Sequence, residues 1–444
     1  MAGKRVEIRT LGCRVNLYES VAIAESLRRA GFAVKEAGEG QTDPDSGEAD
    51  YYIVNTCSVT AESQRQSGQI VRRCAAKGRT AVLGCASQND AEAFRSIPNV
   101  FYVGGCSDKM RVTDAVIREE TERASSAASA VKPMENAPYE PMEIAGSCRL
   151  FSSCRAFVKI EDGCSGRCSY CIIPALRGPA RSRPLADILS EADRLADAGI
   201  KELIFTGISV SSFGLTSLCE LIREAGRRKE RGIERVRFGS LSPSSVNDAF
   251  LDAAAASPNF MPHVHLSLQS GSDRILRLMN RPYAAERAME KIRMLRKVFP
   301  EIEISADFIT GFPTETEADY LQTEAFVREA DLLHVHAFPY SERKGTPAAV
   351  MDGAVPKEIR KERCARLNAL SDGLRAGRME RKTGKTLRML TEKQEGRLLT
   401  GHTEEYMDCR VLCPENEAND RWVGRMVAFD VRSQDGKYLY GGND

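Results

Sequence analysis

The sequence predicts an α/β protein in three parts: an N-terminal doubly wound parallel sheet, a central partial (β/α)6 barrel and a small β-rich module at the C-terminus. Three observations predict it. Strand-like and helix-like runs alternate in two separate series. A stretch without periodicity divides the two series, and the last segment changes to β-type alternation with turn glycines. At 444 residues the chain is long enough for about three domains, each with its own core.

In the first series, Arg5 to Leu11, Ala49 to Asn55, Arg79 to Leu83 and Asn99 to Val103 read as strands. Glu19 to Ala30 and a stretch ending at Ala76 read as helices, giving a domain over 1–123. From 124 to 147 the text is Ala, Ser, Pro and Glu, the composition of a linker. The second series covers 148–355, with strands at Ala156 to Ile160, Glu202 to Phe205, Val236 to Phe238, His263 to Leu268, Glu303 to Phe308 and Leu332 to Ala337. Six such units fit a partial barrel. Residues 356–388 form a helical connector with eleven Lys or Arg against four acids, a local +7 in a chain of net charge +1. That run is either a docking surface for phosphates or a solvated helix face. The module over 389–444 follows.

Composition narrows the class. Net charge of +1 excludes a globally cationic nucleic-acid binder, so any basic surface must be local. Met1 to Thr10 has no long apolar run, which reads as neither signal peptide nor anchor, and the expected location is the cytoplasm, away from membranes. Fourteen cysteines in such a chain point to reduced thiols or metal ligands rather than disulfides.

Two cysteine sets stand out. Cys164, Cys168 and Cys171 are spaced C-x3-C-x2-C after an apolar strand and a glycine-bearing loop. Three thiolates are one fewer than the corners of a [4Fe-4S] cluster, which leaves one iron open. Chance produces that spacing in roughly one such chain in 70. Cys13, Cys57 and Cys85 each end a predicted strand, beside Gly12, Thr56 and Gly84. In an open parallel sheet the carboxyl ends of the strands share one edge, so cysteines far apart in sequence can become neighbours. On spacing alone, a cluster and buried strand-end thiols both remain open. Cys106, after Gly104 and Gly105, also follows a strand and is the cysteine most easily mistaken for a fourth member. Cys74, Cys148, Cys154, Cys219, Cys364, Cys409 and Cys413 read as structural.

The C-x3-C-x2-C segment resembles the radical S-adenosylmethionine (SAM) enzymes. The strings TLGCRVNLYES from Thr10, VNTCSVT from Val54, LGCASQ from Leu83 and EDGCSGRCSYCIIPALRGPARSR from Glu161 together resemble the methylthiotransferases, over nearly the whole chain. The resemblance implies a radical SAM barrel and two [4Fe-4S] clusters, one on Cys164, Cys168 and Cys171 and an auxiliary one on Cys13, Cys57 and Cys85. It also implies a two-SAM reaction: one SAM methylates sulfur on the auxiliary cluster, and a second gives the radical that removes the C2 hydrogen of an adenine. Arg14-Val15-Asn16 is similar to the branch acting on tRNA bearing N6-threonylcarbamoyladenosine next to the anticodon. The alternatives are methylthiolation of isopentenyladenosine in tRNA and a non-catalytic iron-sulfur RNA-binding protein.

The same resemblance assigns the SAM contacts. Tyr170 matches the aromatic that borders the adenine, and Thr206 and Gly207 stand where the family meets the SAM amino group. Ser267 and Gln269 are polar positions on the strand from His263, and Ser270 to Asp273 and Gly311 to Thr316 resemble strand-end loops. Histidine pairs at spacing two, His263 with His265 and His334 with His336, read as hydrogen-bonding or packing groups rather than metal ligands. Gly401 to Tyr406 resembles the RNA-contacting turn of a TRAM domain, a small β-barrel, with His402 where tyrosine is usual. Trp422 reads as core. An electron donor such as flavodoxin or ferredoxin is the other implied partner, and no side chain is nominated as general acid or base.

Overall fold

The computed structural model describes residues 3–37, 49–107, 109–122, 154–413 and 421–442. The linker reading over 124–147, and Cys148, lie outside them. The first five strands, β1 (Arg5–Thr10), β2 (Ala33–Ala37), β3 (Tyr51–Thr56), β4 (Arg79–Gly84) and β5 (Val100–Val103), form a parallel sheet in the order β2-β1-β3-β4-β5. The order reverses between β1 and β3, the switch point at which open sheets of this kind bind ligands. The sequence reading missed β2, a short edge strand whose Lys35 and Glu36 break the apolar run. Helix α1 (Arg14–Arg29) begins well before the expected Glu19 and is buried nearly all round. It packs in two directions: Ile23, Ala24 and Leu27 join the core of this sheet, and Tyr18, Val21 and Ala22 join the core of the barrel.

The barrel strands are β6 (Arg155–Lys159), β9 (Glu202–Thr206), β10 (Arg235–Phe238), β11 (His263–Gln269), β12 (Glu303–Thr310) and β13 (His334–Pro339). Between β6 and β9, a two-residue antiparallel ribbon joins β7 (Glu161–Asp162) to β8 (Arg181–Ser182). The six long strands are parallel in two groups of three, linked by single bridges between Val236 and Phe260 and between Leu241 and Leu266. This is the expected partial (β/α)6 barrel. Alternate residues of β11 are buried, so one face packs and the other lines the lumen.

A closed barrel follows, β14 (Thr386–Glu395), β15 (Leu398–Thr403), β16 (Asp408–Leu412), β18 (Leu439–Gly442) and β17 (Met426–Gln434), in that order around the ring. Strand β14 starts inside the stretch read as connector. The turn around His402 docks in the N-terminal mouth of the larger barrel. Arg235 donates to the carbonyls of His402 (2.7 Å), Thr403 (3.2 Å) and Arg388 (3.2 Å), and Arg237 donates to Thr403 O (2.9 Å). Tyr406, at φ 71°, stacks between His263 and His402. The run 356–388, whose helix spans Lys357–Glu380, is also less available than its +7 suggests. Arg363 pairs with Glu315, Arg366 with Glu317, Arg375 with Asp408, Arg378 with Glu303 and Asp331, and Lys382 just beyond the helix with Glu301 and Glu405. Their charge is neutralised within the fold. Among the described residues no helix is long and apolar enough to cross a membrane.

Docking of the small barrel carries a pH signature. Burial opposes a charge on His402, but its ion pairs with Asp408 (3.1 Å) and with Glu392 more than offset this and raise it from 6.5 to about 9. A raised histidine stabilises fully below its ordinary value and loses that contribution as pH climbs through its folded value. Thermal midpoints should therefore fall between pH 6.5 and about 9. His402→Gln should remove roughly 2 kcal/mol at pH 6 and flatten that alkaline fall. The same alkaline fall in the variant would assign it to another group.

Candidate active site

The cysteine loop begins where β7 ends. Gly163 sits at φ 78°, and a Cβ there would lie 2.2 Å from Pro179 O, so the close return of the loop requires glycine. Cys164 N donates to Gly178 O (3.0 Å) and Cys171 N to Cys168 O (3.1 Å), which closes the loop on itself. Gly166 N points at the Cys164 sulfur (3.3 Å), and Arg281 Nη1 at the Cys168 sulfur (3.3 Å). All three thiols are partly exposed. Burial raises the Cys171 thiol to about 12, with Cys168 and Cys164 adding to the rise.

The structure also gathers Cys13, Cys57 and Cys85 at the switch-point edge. Cys13 caps α1, Cys57 follows β3, and Cys85 opens the short helix Cys85–Asn89. A Cβ on Gly12 would come within 2.5 Å of the Cys57 sulfur, and one on Gly84 within 2.5 Å of Thr56 O. Both glycines have positive φ. Cys106 lies 3.7 Å from the Cys85 sulfur, a neighbour of the triad rather than a distant thiol. Among the described residues no group of three His, Cys, Asp or Glu stands ready to hold a single metal ion. An all-thiol donor set suits an iron-sulfur cluster.

Between the triads lies a sealed charge network. Arg177, fully buried, holds Glu19 (3.0 Å), Asp162 (2.9 Å) and Asn16 Oδ1 (2.6 Å), and its Nε lies 3.4 Å from the Cys85 sulfur. Lys159 bonds both Glu19 (2.9 Å) and Asp162 (2.7 Å), and Lys109 bonds Glu19. Three cations face two carboxylates, and the surplus charge lies against Cys85. The Cys106 thiol donates to Cys85 and, against the cost of burial, Arg177 and Lys109 help bring it below the ordinary thiol range, which favours the thiolate a metal ligand must be.

The expected SAM contacts form two groups. Thr206 and Gly207 end β9 beside the cysteine loop: Ile160 N donates to Thr206 O (2.9 Å), and a Cβ on Gly207 would collide with the Glu161 carboxylate at 2.2 Å. Tyr170 and Ser267 belong to the second group. Arg281 and Tyr283 both donate to Ser267 O (2.8 and 2.7 Å), and Tyr170 packs against the core of Ile275, Met279 and Phe312. Gln269 closes β11 at φ 70°, next to a register shift from Leu266.

Two family models match: the radical SAM superfamily over residues 158–327 and an uncharacterized protein family, UPF0004, over residues 5–105. The threonylcarbamoyladenosine tRNA methylthiotransferase MtaB of Bacillus subtilis is 32% identical over 90% of this chain and 89% of its own length. Its Thermotoga maritima counterpart is 34% identical over 91% and 90%. The chain belongs to the radical SAM methylthiotransferases. A tRNA-2-methylthio-N(6)-dimethylallyladenosine synthase of Streptomyces griseus is also 35% identical, over 89% of this chain and 78% of that protein. Among solved structures, the radical SAM methyltransferase TsrM of Kitasatospora setae shares the fold at TM-score 0.54 and 17% identity, covering 78% of this chain and 75% of that one.

As a radical SAM methylthiotransferase, the protein uses SAM and a [4Fe-4S] cluster. Sequence reasoning missed four groups around that chemistry: Arg177, Arg281, Glu19 and Glu161. Glu161 accepts a hydrogen bond from Ser209 N, its Oε2 is buried without a partner, and burial raises it to about 8. Arg177 and Glu19 do lie inside the strings that carry the family resemblance, but nothing local marks them as partners. Replacing Glu19 with Gln would leave Arg177 and Lys159 sharing Asp162, and Lys109 with only the amide oxygens of Asn16 and Asn55. Glu19→Gln should cost about 3–5 kcal/mol in a denaturant titration. An unchanged midpoint would show that the network contributes nothing to holding the two domains together.

Proposed function

We propose that this methylthiotransferase acts on tRNA, converting N6-threonylcarbamoyladenosine next to the anticodon to its 2-methylthio derivative, with two [4Fe-4S] clusters and SAM. One observation carries the two-cluster reading: two triads of cysteine, each beside glycines that admit close approach, flank a single buried arginine. The substrate reading rests on Arg14-Val15-Asn16 and on the two relatives named for threonylcarbamoyladenosine. The cytoplasm, where tRNA is modified, is the corresponding location.

When bound, the clusters supply the electron that cleaves SAM and the sulfur that is transferred. The chain's own residues hold and orient. Cys164, Cys168 and Cys171 would hold the SAM cluster, with Gly166 N and Arg281 hydrogen-bonded to two of their sulfurs. Cys13, Cys57 and Cys85 would hold the auxiliary cluster, with Arg177 against one of them. Gly207 keeps the strand-end backbone open beside the cysteine loop, and Thr206, Ser267, Gln269 and Tyr170 would line the SAM molecule. Arg281 ties Ser267 to Cys168, so cluster and SAM contacts move as one unit. A reductant such as flavodoxin or ferredoxin completes the system. The relatives named for dimethylallyladenosine favour a second reading, isopentenyladenosine tRNA, at comparable identity.

Anaerobically reconstituted protein should hold about eight irons. Changing Cys164, Cys168 and Cys171 together to Ala should halve this and abolish SAM cleavage. The same change at Cys13, Cys57 and Cys85 should halve the iron but leave SAM cleavage measurable and stop methylthiolation. Methylthiolated product from the second variant would remove the auxiliary assignment. Purified enzyme should modify threonylcarbamoyladenosine tRNA and leave isopentenyladenosine tRNA largely unchanged, and equal turnover would remove the basis for the substrate choice.

A further inference from the structure

A polar chamber lies in the lumen of the larger barrel, and the thiol chemistry does not use it. It is a cavity of about 50 Å3 lined by Arg14, Arg237, His263, His265, His336 and Tyr406 among others. That volume takes about four water-sized groups. His336 is exposed at its rim, so the chamber opens to solvent. Its floor is the docked turn, where Tyr406 lies against His263 and His402.

The charge in and under the chamber is unbalanced. Glu202 is shared by Arg155 (2.7 Å), Arg237 (3.1 Å) and Arg235 (3.7 Å), and only Arg155 adds a second carboxylate, Glu392 (2.9 Å). Arg237 is 3% exposed. Its Nε serves Glu202 and its Nη2 serves Thr403 O, which leaves Nη1 buried without a hydrogen-bond partner. Arg14 stands 5.6 Å over the Phe157 ring and makes no hydrogen bond or ion pair among the described residues. Asp307, the acid nearest the histidines, is engaged by His265 (3.0 Å). A buried donor without an acceptor is costly, and a guanidinium fork matches a carboxylate in shape and charge.

Location ties the chamber to the reaction. Arg14 directly follows Cys13. His265 precedes Ser267 by two residues on β11, about 7 Å along the strand, and Ser267 O is held by the arginine that bonds Cys168. The chamber is therefore bordered by the residue next to Cys13 and by the strand that leads to Ser267, whose carbonyl shares Arg281 with the Cys168 sulfur. We propose that it receives the carboxylate of the substituent on N6 of the substrate adenosine, with Arg14 and Arg237 as its contacts, an inference that rests on the threonylcarbamoyl reading above. A dimethylallyl group would leave Arg14 and the Nη1 of Arg237 dehydrated and without an acceptor. SAM also carries a carboxylate, and the test separates the two sources.

Steady-state kinetics on tRNA bearing threonylcarbamoyladenosine, and on the same tRNA with the threonyl carboxylate converted to its amide, provide that test. Arg14→Gln should lose on the order of 10- to 100-fold in kcat/KM on the carboxylate substrate, mainly through KM, and little on the amide. Arg14→Lys, which keeps the charge, should recover part of the loss. Arg14 is chosen because Arg237 also supports the docked turn. An equal loss on both substrates would point to SAM's carboxylate or to local structure and overturn the assignment, as would no loss on either. Wild-type enzyme that ignored both substrates yet modified isopentenyladenosine tRNA would instead overturn the substrate reading itself.

Discussion

Everything at the active edge depends on one buried contact, the Arg177 guanidinium held between Glu19 of the N-terminal domain and Asp162 of the barrel. Bringing two carboxylates and three cations out of water costs several kcal/mol per ion unless each finds a partner. Here each does: Lys159 reaches both acids, Lys109 completes Glu19, and Asn16 takes a further guanidinium donor. A network of this kind tolerates little sliding, because displacing one domain would strand charges. The geometry of the two thiol sets follows from it. Asp162 lies two residues before Cys164, Asn16 three residues after Cys13, and Arg177 touches Cys85.

Helix α1 makes that contact possible. Most surface helices bury one stripe, but α1 buries opposite faces against two cores, and its first residue, Arg14, lines the lumen beside the network. A second charge cluster closes the other end of the barrel, where Glu202 gathers three arginines and the C-terminal turn fills the mouth. The chamber between them is lined mainly by polar side chains, with Ile204 and Phe238 as its aliphatic and phenyl walls. The small barrel is thus part of the chamber's structure as well as a module appended to it.

How much of this was legible depended on range. The cysteine loop was readable because its ligands are local, and the second triad because parallel strands share an edge. The six barrel strands were found within a few residues of their observed bounds, since each is an apolar run. What could not be read were pairings across the chain. Glu19 and Arg177 are 158 residues apart, and neither has a periodic or motif signal. The charge of the 356–388 run was counted correctly, but Arg363, Arg366, Arg375, Arg378 and Lys382 meet acids of other elements, so part of its apparent surplus is taken up on folding. The docking of the turn around His402 was unreadable for the same reason: resemblance to an RNA-contacting loop carries no information about which surface of its own chain it meets. Of Arg14-Val15-Asn16, Val15 is core and Asn16 bonds Leu11 O, Thr56 O and Arg177, which leaves Arg14 as the residue free to meet a substrate.

The central claim is that the two thiol triads are held as neighbours across the Arg177 network. Power saturation of the electron paramagnetic resonance signal from the reduced cluster on Cys164, Cys168 and Cys171 tests it directly, since a nearby second paramagnet speeds spin relaxation. Reduced wild-type protein should saturate at higher microwave power than the variant with Cys13, Cys57 and Cys85 changed to Ala. Identical saturation in two samples of verified iron content and reduction would contradict the account, because the two sites would then be too far apart to serve one substrate.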